Sequence, residues 1–261
     1  MSDRLVKVRT DGNSGTIVIN RTDRRNALSR ETIAELAQAW DDLLGEKKVR
    51  AVILTGAGDA FCAGMDLHQI HETAQQETAP AQWHEDAIAY RDLLQTMLQY
   101  PKPIIAAVNG PAHGGGAGLV LGSDIVIASQ QATFCIPAPQ RGLVAGHVAP
   151  LLVFRIGAGR AAKLMLTGEC VDAEAAADLG LFHELVADEL VWARARELSD
   201  RFADTSHEAV SMTKRLINET IGEHLSSQLT LGAAATAASK TTSAAEEGVT
   251  AFVEKRQPQW P

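Results

Sequence analysis

Two glycine-rich turns, each directly after a short apolar run, hold the backbone groups best suited to chemistry. The first run and turn read AVILTGAGDAFCAGMDL, residues 51–67, and the second PIIAAVNGPAHGGGAGLVLGSD, residues 103–124. Glycine accepts positive φ and lets a ligand approach the backbone, and a helix that starts after such a turn leaves N–H donors free. The two turns together predict a pair of N–H donors for an oxyanion or a phosphate.

Other chemistry at these turns fits less well. A dinucleotide fingerprint begins with Gly56 and Gly58, but its third position holds Phe61. A phosphate-binding P-loop needs Gly-Lys-Ser/Thr after the glycines, and a nucleophile elbow needs Gly-x-Ser-x-Gly; neither is present. Turns that serve packing alone remain an alternative, but the occurrence of two favours the paired-donor site.

The stretch after the second turn, FCIPAPQRGLVAGH at residues 134–147, contains no carboxylate. His147 is its one group with an ordinary pKa near neutrality, about 6.5, so it is the candidate general base or acid. A hydrogen-bonded packing histidine is the alternative. Asp124 is the only carboxylate between Asp92 and Glu169, and its place at the start of an apolar run predicts a structural role.

The elements that position these groups follow from hydrophobic periodicity. Ser29 is predicted to cap a helix, because apolar residues then recur at three- and four-residue steps on one face. Four short apolar runs bounded by polar residues or glycine predict buried strands: 16–20, 51–56, 103–110 and 124–129. Residues 68–100 predict a polar loop, a candidate mobile lid, that passes into an amphipathic helix. From residue 188 onward the chain is predicted to be mostly helical.

Composition limits the class of protein. The 261 residues carry a formal net charge of −8, which argues against nucleic acid or an anionic membrane surface as a partner. No signal-like or membrane-spanning run is visible. Cys62, Cys135 and Cys170 lack paired spacing, which favours free thiols in a reducing compartment and no zinc site. We therefore predict a cytoplasmic protein.

Several segments in a fixed order resemble the crotonase superfamily, the enoyl-CoA hydratase/isomerase group, across nearly the whole chain. They are RTDRRNALS (21–29), GAGDAFCAGMDL (56–67), PIIAAVNGPAHGGGAGLVLGSDIVIAS (103–129), LMLTGECVDAEAAADLGLFHELV (164–186) and AFVEKRQP (251–258). The resemblance implies an α/β fold, a crotonase-like spiral of ββα units (1–187) with a C-terminal helical trimerisation region (188–261). It also implies homotrimers or dimers of trimers that act on acyl-CoA thioesters.

The same resemblance assigns roles to individual residues. The backbone N–H groups of Met65 and Gly115 match the oxyanion hole, which stabilises the enolate oxygen of a thioester. The implied contacts to the adenine, phosphates and pantetheine of coenzyme A are Arg25, Ala27, Ala63, Asp66, Leu67, Phe252 and Lys255. Coenzyme A enters as part of the substrate, and no permanently bound cofactor and no metal are predicted.

The resemblance fails at the residues that move protons. Hydratases of this group use two glutamates, and the matching positions here are Gly118 and Ala138. A later acid found in some relatives falls on Ala145 or Gly146. The stretch GLVAGHVAPLLVFRIG resembles the methylglutaconyl-CoA hydratase-like branch, which also has glycine at the position of Gly118 but keeps the acid that Ala138 replaces here. Hydration by a glutamate pair is therefore not expected.

Other polar residues near the turns are weaker candidates. His113 lines a pocket or braces its turn. His68, His71 and Glu72 have loose spacing for metal ligands and no third motif, so a solvated face is the better interpretation. Cys62 is predicted to pack.

Two classes of function therefore remain. The first is an acyl-CoA enzyme for isomerisation, hydration or decarboxylation, in which His147 or water carries the proton. The second is a CoA-thioester binding protein without turnover; a nicotinamide reductase built on Gly56 is a more distant alternative.

Overall fold

The computed structural model describes residues 4–261, in which a six-stranded sheet and a smaller three-stranded sheet are surrounded by helices. The strands are β1 (Val6–Asp11), β2 (Ser14–Ile19), β3 (Ala51–Gly56), β4 (Ile104–Val108), β5 (Ala112–His113), β6 (Ile125–Ser129), β7 (Thr133–Cys135), β8 (Cys170–Asp172) and β9 (Glu184–Val186). Residues 1–3 lie outside the described residues. The sequence prediction that the N-terminal segment is not a signal peptide begins with these residues.

The large sheet runs in the order β1-β2-β3-β4-β6-β9, and the small one in the order β5-β7-β8. β1 and β2 form an antiparallel hairpin, and the neighbours from β2 to β9 are parallel. All four predicted strands are present, as β2, β3, β4 and β6. Because β3 and β4 pair in parallel, the two glycine turns leave the same edge of the sheet.

Eleven helices are described: α1 (Arg30–Gly45), α2 (Leu67–Ala74), α3 (Ala79–Gln99), α4 (Gly115–Gly122), α5 (Val148–Ile156), α6 (Ala158–Thr167), α7 (Ala173–Asp178), α8 (Val191–Asp200), α9 (His207–Arg215), α10 (Leu225–Ser239) and α11 (Ser243–Val253). Ser29 caps α1 as predicted, since its hydroxyl accepts from the Thr32 amide at 3.2 Å. Within residues 4–261, no helix is both long and apolar enough to cross a membrane.

The polar loop predicted from residue 68 is wrong, because the chain is already helical there in α2. The Asp66 carboxylate accepts hydrogen bonds from the amides of His68 and Gln69, at 3.0 and 3.3 Å, and so starts the helix. Ile70 and Thr73 give α2 a buried face that the polar composition obscures. The C-terminal region is helical as predicted, and its α10 packs along α3 and α5.

The prediction of three free cysteines is also wrong. The antiparallel pairing of β7 with β8 places Cys135 opposite Cys170, and a disulfide joins them. Only Cys62, which is buried, is a free thiol in the described part of the chain. Cysteine usage therefore no longer supports a reducing compartment.

Candidate active site

The amides of Met65 and Gly115 are two donors without acceptors that lie close together. The backbone at Leu28 runs beside Met65 and forms hydrogen bonds with the residues on either side of it. The Leu28 amide donates to the Gly64 carbonyl at 2.7 Å, and the Asp66 amide donates to the Leu28 carbonyl at 3.0 Å. Gly115 is the first residue of α4, so its amide precedes the helical hydrogen-bond ladder. Neither amide meets an acceptor in residues 4–261.

Glycine is required where these two loops meet. Gly64 and Gly114 have φ of +96° and +52°, which other residues rarely adopt. A Cβ added at Gly64 would lie 2.8 Å from the His113 carbonyl oxygen and 3.2 Å from the Gly115 nitrogen. A Cβ added at Gly115 would lie 3.5 Å from the Met65 nitrogen. Both donors thus line one cavity of about 400 Å³, which we call the acyl cavity.

Tyr90 occupies the space next to Gly118. A Cβ added at Gly118 would lie 2.3 Å from the Tyr90 hydroxyl oxygen, and that hydroxyl donates to the Gly115 carbonyl at 2.5 Å. Burial raises the pKa of Tyr90 well above its ordinary value, so the phenol is neutral. A glutamate at position 118 has no room beside this tyrosine, and the phenol anchors the turn that carries the Gly115 amide.

His147 lies in the same cavity with both ring nitrogens near partners. Nε2 is 2.9 Å from the Ala87 carbonyl oxygen, which can only accept, so this nitrogen carries the proton. Nδ1 is 3.3 Å from the Thr236 hydroxyl, and the ring packs edge-on against Tyr90 with centroids 5.3 Å apart. Burial lowers the pKa of His147 to about 4. The positive charges of Lys240 and Arg91 lower this pKa further, and the hydrogen bond to Ala87 acts to raise it. The ring is therefore neutral at pH 7.

This depressed pKa predicts a stability loss in acid. Between pH 4 and about 6.5 the unfolded chain protonates His147 and the folded chain does not, so acidification through that window favours unfolding. At about 1.4 kcal/mol per pH unit, the contribution is about 3 kcal/mol. Denaturant titrations of wild type and His147→Gln from pH 7 to pH 4 measure it as the difference between the two curves.

The two proteins must be compared because burial also lowers the pKa of His113 and His183. These two histidines add to the pH dependence of the free energy of unfolding in the wild type. Those two histidines are present in both proteins and cancel in the comparison. Parallel curves for wild type and His147→Gln would show that the folded protein protonates His147 normally.

Six of the seven residues implied as coenzyme A contacts line the acyl cavity: Arg25, Ala27, Ala63, Asp66, Leu67 and Phe252. Lys255, which follows α11, is not among the lining residues.

Asp66 has internal partners, since Arg21 donates to its carboxylate at 2.6 Å. Arg24 and Arg141 also line the cavity, and the Arg141 guanidinium lies 5.0 Å from the Phe252 ring centroid. These two arginines were missed because isolated cations carry no sequence signal.

His113 lies beside the disulfide. One of its ring nitrogens and the sulfurs of Cys135 and Cys170 lie within 4.8 Å of one another. His113 Nε2 is 2.9 Å from the Thr133 hydroxyl, and the two sulfurs are bonded to each other rather than free as thiolates. His113 also lines the acyl cavity, as one of its two sequence interpretations required.

Comparisons with known proteins agree over nearly the whole chain. The family model described as enoyl-CoA hydratase/isomerase matches residues 10–261. A 1,2-epoxyphenylacetyl-CoA isomerase of Escherichia coli is 34% identical, covering 94% of each chain. The enoyl-CoA hydratase EchA19 of Mycobacterium tuberculosis is 34% identical over 98% of this chain and 95% of its own. A crystal structure of an enoyl-CoA hydratase/isomerase from Mycobacterium paratuberculosis superposes with a TM-score of 0.87 at 31% identity, covering 95% and 98% of the two chains.

Proposed function

Since the chain belongs to the enoyl-CoA hydratase/isomerase family, we propose that it binds an acyl-CoA thioester and stabilises the enolate of that thioester with the amides of Met65 and Gly115. The observation that carries this proposal is a pair of amides at the edge of one cavity that find no acceptor in the described part of the chain. Two fixed donors stabilise the oxygen on which charge develops, and each such donor contributes about 3 kcal/mol to the transition state.

The coenzyme A moiety is proposed to lie along Arg25, Ala27, Ala63, Leu67 and Phe252, with Asp66 at its edge and Lys255 approaching from the tail. The exposed Arg24 and Arg25 and the half-buried Arg141 place positive charge at this end of the cavity, which offsets the phosphates despite the overall charge of −8. Trimers or dimers of trimers remain part of the proposal.

The described carboxylates of the cavity do not provide a strong base. Desolvation alone would raise the pKa of Asp66, but the bond from Arg21 and the α2 amides outweigh it and lower the pKa. Asp86 receives two hydrogen bonds from Arg30, at 2.6 and 2.8 Å. Asp23 is exposed. The enolate is therefore proposed to form without a carboxylate acting as a base.

Of isomerisation, hydration and decarboxylation, decarboxylation requires the fewest catalytic groups from these residues. The bond between the α-carbon and a carboxylate breaks, its electron pair becomes the enolate, and CO₂ leaves. A proton from water then returns to the α-carbon, because the neutral His147 ring already donates its one N–H to the Ala87 carbonyl. This sequence needs a polarised thioester carbonyl and one proton donor, but no base.

A panel of thioesters tests the proposal. Crotonyl-CoA reports hydration, a 3-enoyl-CoA reports isomerisation, and methylmalonyl-CoA reports decarboxylation, each followed by mass spectrometry of the products. We expect turnover of methylmalonyl-CoA to exceed that of the other two, because it alone needs no base. Failure of every thioester to bind would refute the proposed substrate class.

The second candidate function is a thioester-binding protein without turnover. The specific observation in its favour is that Tyr90 fills the space beside Gly118, where the hydratases of the family carry an acid. Binding of all panel members with no product from any of them would establish this function in place of the enzyme.

A further inference from the structure

Lys240 is a buried amine in the wall between two cavities. It follows α10, is 6% exposed, and lines both the acyl cavity and a second cavity of about 390 Å³ beside α1, α2 and α3. Met65 and Asp86 also line both cavities. The Lys240 side chain therefore borders the same cavity as the Met65 amide.

Lys240 differs from the other two buried lysines in having no hydrogen-bonding partner among the described residues. Lys102 donates to the carbonyls of Leu43, Leu44 and Glu46, and Lys214 is paired with Asp124 at 2.7 Å. Lys240 Nζ makes no hydrogen bond or ion pair with any of residues 4–261. The Lys240 side chain is largely buried, but its Nζ keeps contact with the space of the cavities, so a ligand anion is the natural complement to that charge.

The carboxylates near Lys240 do not neutralise it. Asp86, whose charge acts on Lys240, is held by Arg30 and also accepts from Gln82 at 3.0 Å. Asp86, Arg30 and Lys240 together carry one net positive charge when the amine is protonated. Glu85 and Asp92, which line the second cavity, are exposed to solvent.

Lys240 is mostly protonated at neutral pH. Burial lowers the pKa of Lys240 to about 8, with Asp86 opposing and Arg30 adding to that change. The cavity therefore presents a positive charge at pH 7 to whatever occupies its acyl end.

We propose that Lys240 binds a carboxylate on the acyl group, so that the preferred substrates are acyl-CoA thioesters that carry a second carboxylate. This inference rests on the proposed function and specifies its substrate class. The carboxylate receives charge-assisted hydrogen bonds from the Lys240 ammonium. A neutral acyl chain of the same length leaves the ammonium without a partner.

Matched thioesters test the assignment by calorimetry at pH 7. Succinyl- and glutaryl-CoA, whose second carboxylate is not on the α-carbon, are compared with butyryl- and pentanoyl-CoA, which have the same acyl lengths and no carboxylate. We expect at least one carboxylate member to bind wild type about tenfold more tightly than its neutral counterpart. Lys240→Met should remove that preference and change the Kd of the neutral thioester less than about threefold. Lys163→Met, at an exposed lysine, is the control and should retain the preference.

Each result separates this inference from the proposed function. Equal binding of charged and neutral thioesters by wild type overturns the role of Lys240 and leaves the thioester function standing. Equal weakening of both kinds by Lys240→Met also overturns it, because that is the effect of a damaged cavity. If no thioester binds, the proposed function fails and this inference with it. If Lys240→Met does not fold, a crystal structure of wild type with its preferred thioester decides, and a carboxylate bound to any other residue refutes the assignment.

Discussion

Replacing Gly115 with proline is expected to lower kcat/KM for a thioester substrate about 100- to 1000-fold, because it deletes one of the two amide donors. Gly115 is the first residue of α4, where proline is well tolerated because the amide has no helical acceptor. The substitution therefore removes the N–H group while α4 is retained. A second measurement needs no turnover: infrared difference spectra of a thioester labelled with ¹³C at the carbonyl should show a bound carbonyl stretch lowered in wild type and less so in the variant.

Gly115→Ala is the matched control for this prediction. Its Cβ would lie 3.1 Å from Leu28 Cδ1 and 3.2 Å from Met65 Sδ, both at flexible ends of side chains, and the amide is kept. A loss below about tenfold is expected, since the donor survives. Equal losses for alanine and proline would mean that crowding, not the missing donor, explains the effect, and the proposed oxyanion site would have to be abandoned.

Individual strands and the first helix were predictable because their signals are local, whereas the crotonase-like arrangement was predicted from the family resemblance. The four buried strands are short apolar runs that end in glycine or polar residues, and Ser29 precedes a regular apolar face in α1. The two glycine turns fall at one sheet edge because β3 and β4 pair in parallel. The comparisons confirm that fold and family.

The remainder of the site depends on contacts between residues far apart in the chain. Tyr90 reaches the Gly115 carbonyl from α3, and His147 has partners on α3 and α10. Lys240 enters the acyl cavity from the end of α10, in a region that the sequence pattern predicted only as mostly helical. No local pattern specifies which side chain fills the space left by the missing glutamate, so Tyr90 could not be found from the sequence.

The two structural errors have the same origin. The disulfide depends on the register of β7 against β8, which brings together residues 35 positions apart. The start of α2 depends on the Asp66 carboxylate, which the resemblance had assigned to coenzyme A. Asp66 caps a helix and binds Arg21 while it lines the cavity, so one residue serves structure and a candidate site together.

Asp124→Ala is expected to lower the free energy of unfolding by about 3–5 kcal/mol, a large share of the roughly 5–15 kcal/mol typical of a folded domain. The Asp124 carboxylate accepts from the Ile104 amide at the start of β4 and from Lys214 Nζ, each at 2.7 Å. Lys214 lies on α9 and is 6% exposed, so its buried ammonium would lose the one carboxylate that pairs with it within residues 4–261. Denaturant titration at pH 7 measures the loss.

Two controls separate this buried pair from ion pairs in general. Glu169→Ala breaks the exposed pair with Lys163 and should cost about 0–1 kcal/mol. The double variant Asp124→Asn with Lys214→Met keeps an acceptor for the Ile104 amide and removes the buried charge, so it should recover most of the stability lost in Asp124→Ala. If Asp124→Ala costs no more than Glu169→Ala, then solvent reaches Lys214 and the pair does not join the C-terminal helices to the sheet. If the double variant is as unstable as Asp124→Ala, the loss of stability arises at the start of β4 and does not depend on the charge of Lys214.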